Sequence, residues 1–133
     1  MDDGIENVEK VVQYWIESAE QNHSTMQNLL KTRDNSWALF MGHLVLEKLL
    51  KAHYVKKNKK HAFFTHDLLR LSVKSGVELS DEYADWLDSI SAFNINARYD
   101  NYKNDFFKLC TSEFTMMWVG KIEILKQWLI NQL

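Results

Sequence analysis

No proline occurs anywhere in the sequence, and only four glycines do. Folds rich in hairpins and tight turns draw on both, so their scarcity points to helices. The single cysteine, Cys110, excludes an internal disulfide and cannot build a cysteine zinc cluster alone. No apolar run reaches the ~18 residues of a membrane span. The acidic start "MDDGIENVEK" lacks a signal peptide's basic and apolar regions, so a cytoplasmic protein without membrane association is expected. An excess of positive charge is missing too. Sixteen basic against eighteen acidic residues give a net charge of −2, which excludes a general polyanion binder and leaves room only for a local basic patch.

Apolar material is plentiful. Hydrophobic residues make up 46% of the 133, with five tryptophans. A chain of this length forms one domain, residues 1–133, and buries about 70% of its unfolded surface. From Ile5, the apolar positions Val8, Val12, Trp15, Ala19, Met26 and Leu30 predict one helix to about Lys31. After the turn "TRDNS", with Asn35 or Ser36 placed to cap, a second helix is expected over about Ser36 to Lys56. Residues Asn35 to Leu46 carry no charged side chain, so this helix should be central. On it, His43, Glu47 and Lys51 form a polar stripe at i, i+4 and i+8. Thr65 is a cap candidate for a short third helix, Asp67 suits its positive end, and Gly76 suits its exit. Ser80 opens a fourth helix whose stripe is Tyr83, Trp86, Leu87, Ile90, Phe93 and Ala97. A last helix is expected from about Asp105 to Asn131, with Phe107, Phe114, Trp118, Ile122, Leu125 and Leu129 on its buried face. The fold class is all-α, an antiparallel up-and-down bundle of four main helices plus one short helix.

Several polar groups carry two readings each. Arg98 and Tyr99 in "NINARYDNYKND" make either an anion clamp or a helix-end latch under a packed tyrosine lid. Tyr102 extends a stacking surface or fills a gap between helices. Glu47, Lys48 and Lys51 form a solvated strip or one wall of a ligand groove. His66 reaches a neighbouring helix or lies near Arg98. The lysines of "KKNKKH", residues 56–61, form a solvated loop or contact a phosphate backbone. Among the five histidines no metal-ligand spacing appears, and neither a metal nor a cofactor is expected. Trp118, Trp128, Met116 and Met117 exceed what one helix face needs, which points to self-association.

The order "YWIESAEQNHSTMQNLL", "FMGHLVLEKLLKAHYV", "THDLLRL", "ARYD" resembles the HEPN domain (higher eukaryotes and prokaryotes nucleotide-binding) over roughly residues 5 to 130. The matching positions are Glu47, Lys48, Lys51 and Ala52, then Thr65 to Leu68, then Arg98 and Tyr99. The resemblance implies a helical bundle, often a homodimer, and frequently a minimal nucleotidyltransferase partner in a toxin–antitoxin-like pair. It also implies nucleotide or RNA as ligand. Many members are metal-independent RNases with an Arg and a His separated by four to six residues. Here Lys103, Asn104 and Asp105 stand where that histidine would be, and all five histidines precede Arg98. The motif is absent, so a non-catalytic binding protein is expected. The alternatives are an RNase with a substituted motif, using Arg98 and Lys103, and a protein-interaction module. The expected ligand-binding set is Arg98, Tyr99, Tyr102, Lys103, Glu47, Lys48, Lys51 and His66. Asp100 replaces the family's proline after Arg-Tyr.

Overall fold

Asn7 caps the first helix by accepting the Lys10 N–H on its side-chain oxygen, so the helix starts at Val8, three residues after Ile5, where the apolar pattern begins. The computed structural model describes residues 5–133, so the first four residues of the acidic start lie outside it. Helix α1 spans Val8–Lys31 and leaves through a left-handed residue, Arg33, with φ +63°. The N–H groups of Arg33 and Asp34 bond back to the Leu30 and Leu29 carbonyls, the doubled closure that normally takes glycine.

Helix α2, Asn35–Asn58, starts differently from expectation. Asp34, rather than Asn35 or Ser36, holds the cap position, and its carboxylate accepts the Thr32 hydroxyl instead of a helix N–H. Asn35 is inside the helix and donates to the Cys110 carbonyl, tying this turn to a distant one. As its uncharged first half implies, α2 is central: it packs on the first, third, fourth, fifth and sixth helices. Its Leu39, Leu46, Leu49 and Leu50 are fully buried. At Gly42 α2 has no room for a side chain, since a Cβ there would sit 2.5 Å from Ile122 Cδ1 and 3.3 Å from Met26 Sδ. Lys57 and Asn58, expected in a loop, complete α2, and Lys59 turns it off in a left-handed conformation.

Short helix α3, Leu68–Lys74, is capped by Asp67, which accepts the Arg70 N–H; Thr65 instead accepts the Asp67 N–H. Gly76 takes φ +71° at its exit as anticipated, with Val77 N–H bonded to the Ser72 carbonyl. Ser80 caps α4, Asp81–Arg98, by accepting the Tyr83 N–H.

The expected single last helix is two: α5, Asp100–Leu109, and α6, Ser112–Asn131. Thr111 causes the break. It is extended, and its hydroxyl accepts the Phe114 N–H, a full N-cap in the middle of an apolar stretch. The break also changes the phase, so Phe106 is buried while Phe107 is 65% exposed, contrary to its expected place on the buried face. The all-α bundle therefore has four long helices and two short ones among the described residues. No helix there is long and apolar enough to cross a membrane.

Candidate functional site

The polar stripe of α2 is buried. Glu47 and Lys51 are 3% and 7% exposed and His43 is wholly enclosed, because the segment leading into α3 lies across them. Glu47 uses both carboxylate oxygens. Oε2 accepts from Lys51 Nζ at 3.1 Å, and Oε1 accepts from His66 Nδ1 at 2.7 Å. Lys51 Nζ also lies over the Trp15 and Phe64 rings, at 5.2 and 5.9 Å. Burial pushes His43 below its ordinary value near 6.5, so it is neutral, and its Nε2–H donates to the His66 carbonyl at 3.0 Å. Desolvation likewise lowers Lys48, which is half-buried beside the stripe. A solvated strip is thus replaced by an internal network whose end is His66.

His66 reaches an open pocket of about 450 Å³ between the start of α3 and the outer face of α4. Asp67, Asp88, Asn94, Arg98 and Tyr99 share its wall. The fold therefore puts His66 and Arg98 on one cavity although they lie 32 positions apart in the chain (98 minus 66). Arg98 donates Nε–H to the Asn94 carbonyl at 2.9 Å and Nη2–H to Asn94 Oδ1. Its guanidinium lies over the Phe40 and Tyr99 rings. It is latched one turn back on its own helix, yet only two of a guanidinium's five N–H groups are used. Tyr99, the single non-helical residue between α4 and α5, is 54% exposed and is not a packed lid.

The remaining expected site residues lie elsewhere. Lys103 pairs with Asp100 at 3.1 Å and lines a separate hollow with Trp37 and Phe107. Tyr102 borders a third, beside Leu109. Neither shares the Arg98 pocket. His23 pairs with Glu123, and His53 donates to the Leu129 carbonyl at 2.8 Å, so both tie helices together. No group of His, Cys, Asp and Glu among the described residues could hold a metal. Trp118 and Trp128, read as surplus surface, belong to or pack on the core, while Met116 and Met117 are exposed.

Asn94 escaped the sequence reading. It sits in the apolar stripe of α4, four residues before Arg98, and a polar residue in that register was the available signal. It is 1% exposed, its Oδ1 serves Arg98, and its Nδ2 has no partner.

Among known families, the HEPN domain matches residues 12–132 of the chain. Among solved structures, the crystal structure of TT1696 from Thermus thermophilus matches with a TM-score of 0.78 and 17% identity. The match covers 92% of this chain and 98% of that one, and at this identity it speaks for the fold. No curated protein matches the sequence.

Proposed function

Since the chain belongs to the HEPN domain family, we propose that it is a nucleotide- or RNA-binding module whose ligand enters the pocket between α3 and α4. The observation that carries this reading is the meeting of His66, Arg98 and Tyr99 on one open cavity. Arg98 has free N–H groups for a phosphate, held in place by Asn94 and by two ring faces. Tyr99 offers an exposed ring for a base to stack on. Asp67 and Asp88 on the same wall disfavour highly charged ligands, which supports a diester over a free triphosphate.

The proposal extends to assembly. Ile95, Tyr99, Tyr102, Phe107 and Leu109 expose large apolar surfaces at the end of α4 and along α5. Such a surface suits a homodimer in the cytoplasm, or a minimal nucleotidyltransferase partner in a toxin–antitoxin-like pair.

The test is a titration of ATP, GTP and a short RNA against wild type and Arg98→Ala. The RNA is expected to bind more tightly than either triphosphate, and Arg98→Ala to weaken it at least about tenfold. If no ligand binds, or both proteins bind equally, the pocket is not the site.

A further inference from the structure

Helix α2 opens without the groups that usually cover a helix N-terminus. Its first N–H to bond is that of Ala38, which donates to the Asp34 carbonyl at 2.9 Å. The N–H groups of Asn35, Ser36 and Trp37 are left without an acceptor among the described residues. Asp34, in the cap position, turns its carboxylate to the Thr32 hydroxyl at 2.6 Å, and no acidic side chain stands in the first turn. Unspent donors at the positive end of a 24-residue helix attract an anion.

A buried side chain beside them points the same way. Ser36 is only 7% exposed, and its hydroxyl makes no hydrogen bond among the described residues. It lines a hollow of about 260 Å³ where α2, α4 and α5 meet, and an acceptor in that hollow is the partner it has room for. From α5, Lys103 brings an ammonium and Asn104 an amide to the same wall. The contact of Lys103 with Asp100, whose side chain is 91% exposed, is a surface pair of little strength and leaves two N–H groups of the ammonium free. Trp37 and Phe107, both exposed, supply aromatic surface around these donors.

Those features define the ligand. Donors from two helices suit a group with several oxygens, and a phosphate monoester carries three free oxygens and a charge of about −1.5 to −2. A backbone diester offers fewer oxygens and less charge. The hollow is smaller than the roughly 300–1,000 Å³ that encloses a drug-sized molecule, so the organic part is a single ring. Two aromatic side chains on the wall favour an aromatic ring.

We propose that the N-terminus of α2, with Ser36, Lys103 and Asn104, binds a phosphate monoester of a single aromatic ring, at a site separate from the pocket between α3 and α4. The phosphate oxygens accept from the Ser36 and Trp37 N–H groups, the Ser36 hydroxyl and the Lys103 ammonium, and the ring lies against Trp37 and Phe107. Such a group exists free, as an aryl phosphate, and on the side chain of a phosphotyrosine peptide. Asp34 and Asp100 are the opposing charges; both are exposed, so solvent and salt screen their repulsion.

The experiment follows the backbone amide resonances of the full chain by nuclear magnetic resonance. The chain is titrated with phenyl phosphate, with a short phosphotyrosine peptide, and with sodium chloride at matched ionic strength. The amides of Ser36 and Trp37 are expected to shift saturably with at least one phosphate and not with chloride, and the tighter ligand names the source. Lys103→Ala is expected to raise Kd at least about threefold, and Asn104→Asp, which sets a like charge against the ligand, at least about tenfold. Both residues are exposed, and circular dichroism checks that the variants keep their helicity. Ser36 and Trp37 amides that stay still up to about 10 mM of either phosphate overturn the site. So do equal shifts with chloride, or a Kd unchanged in either variant.

Discussion

Glu47→Ala tests the buried network most directly. The substitution removes the carboxylate that answers Lys51 at 3.1 Å and His66 at 2.7 Å, and leaves an ammonium only 9% exposed along its side chain. Removing one partner of a buried pair costs about 3–5 kcal/mol, because the other charge stays uncompensated. Two features move the figure to the low end. Lys51 keeps its contacts over Trp15 and Phe64, and His66 is exposed enough to turn to water. The expected loss is about 3 kcal/mol, or about 10 °C in Tm for a chain of this size. Urea denaturation followed by far-ultraviolet circular dichroism measures it. The double variant Glu47→Leu with Lys51→Met, which replaces both charges by apolar groups, should return to within about 1 kcal/mol of wild type. A loss under about 1 kcal/mol for Glu47→Ala, or a double variant as unstable as the single one, refutes the argument from an uncompensated charge.

Gly42→Ala gains about 1 kcal/mol of helix propensity but drives a methyl group onto Ile122 Cδ1, and overpacking costs about 1–3 kcal/mol. A net loss is expected in thermal melts, with recovery when Ile122→Val makes room. Arg33→Gly relieves a left-handed arginine and should raise Tm by a few degrees, about 1 kcal/mol at most. His43 and His53 are both lowered in the folded state, chiefly by burial, from an ordinary value near 6.5. The unfolded chain then binds more protons below that value, so stability is full above about pH 6.5 and falls as the pH drops through it. Urea midpoints at about pH 7.5 and 5.5 should show the decline, and His53→Gln should reduce it. Burial pushes the Cys110 thiol up to about 11, so it should resist thiol reagents in the native state and react on unfolding.

Helix positions were legible wherever local rules operate. Ser80, Gly76 and the stripe of α4 from Leu87 to Ala97 follow from cap chemistry and from a period of 3.6, both of which act within a few residues. The break at Thr111 was missed for the opposite reason. Apolar spacing runs on through Phe107 to Trp118 and hides a capping threonine whose effect depends on one hydrogen bond. Arg33 was missed because nothing in an arginine announces a left-handed turn; the packing of α1 against α2 imposes it.

The site divides along the same line. Composition and periodicity by themselves determined an all-helical domain and a central α2 with a polar stripe at His43, Glu47 and Lys51, since these are properties of neighbours along the chain. Tertiary structure alone decided that the stripe is buried, that Glu47 meets His66, and that His66 shares a pocket with Arg98 while Lys103 does not. Those meetings depend on where the segment before α3 crosses α2 and α4. That crossing is set by burial of Leu68, Leu71, Leu87 and Ile90 in a common core, a sum over residues far apart in sequence.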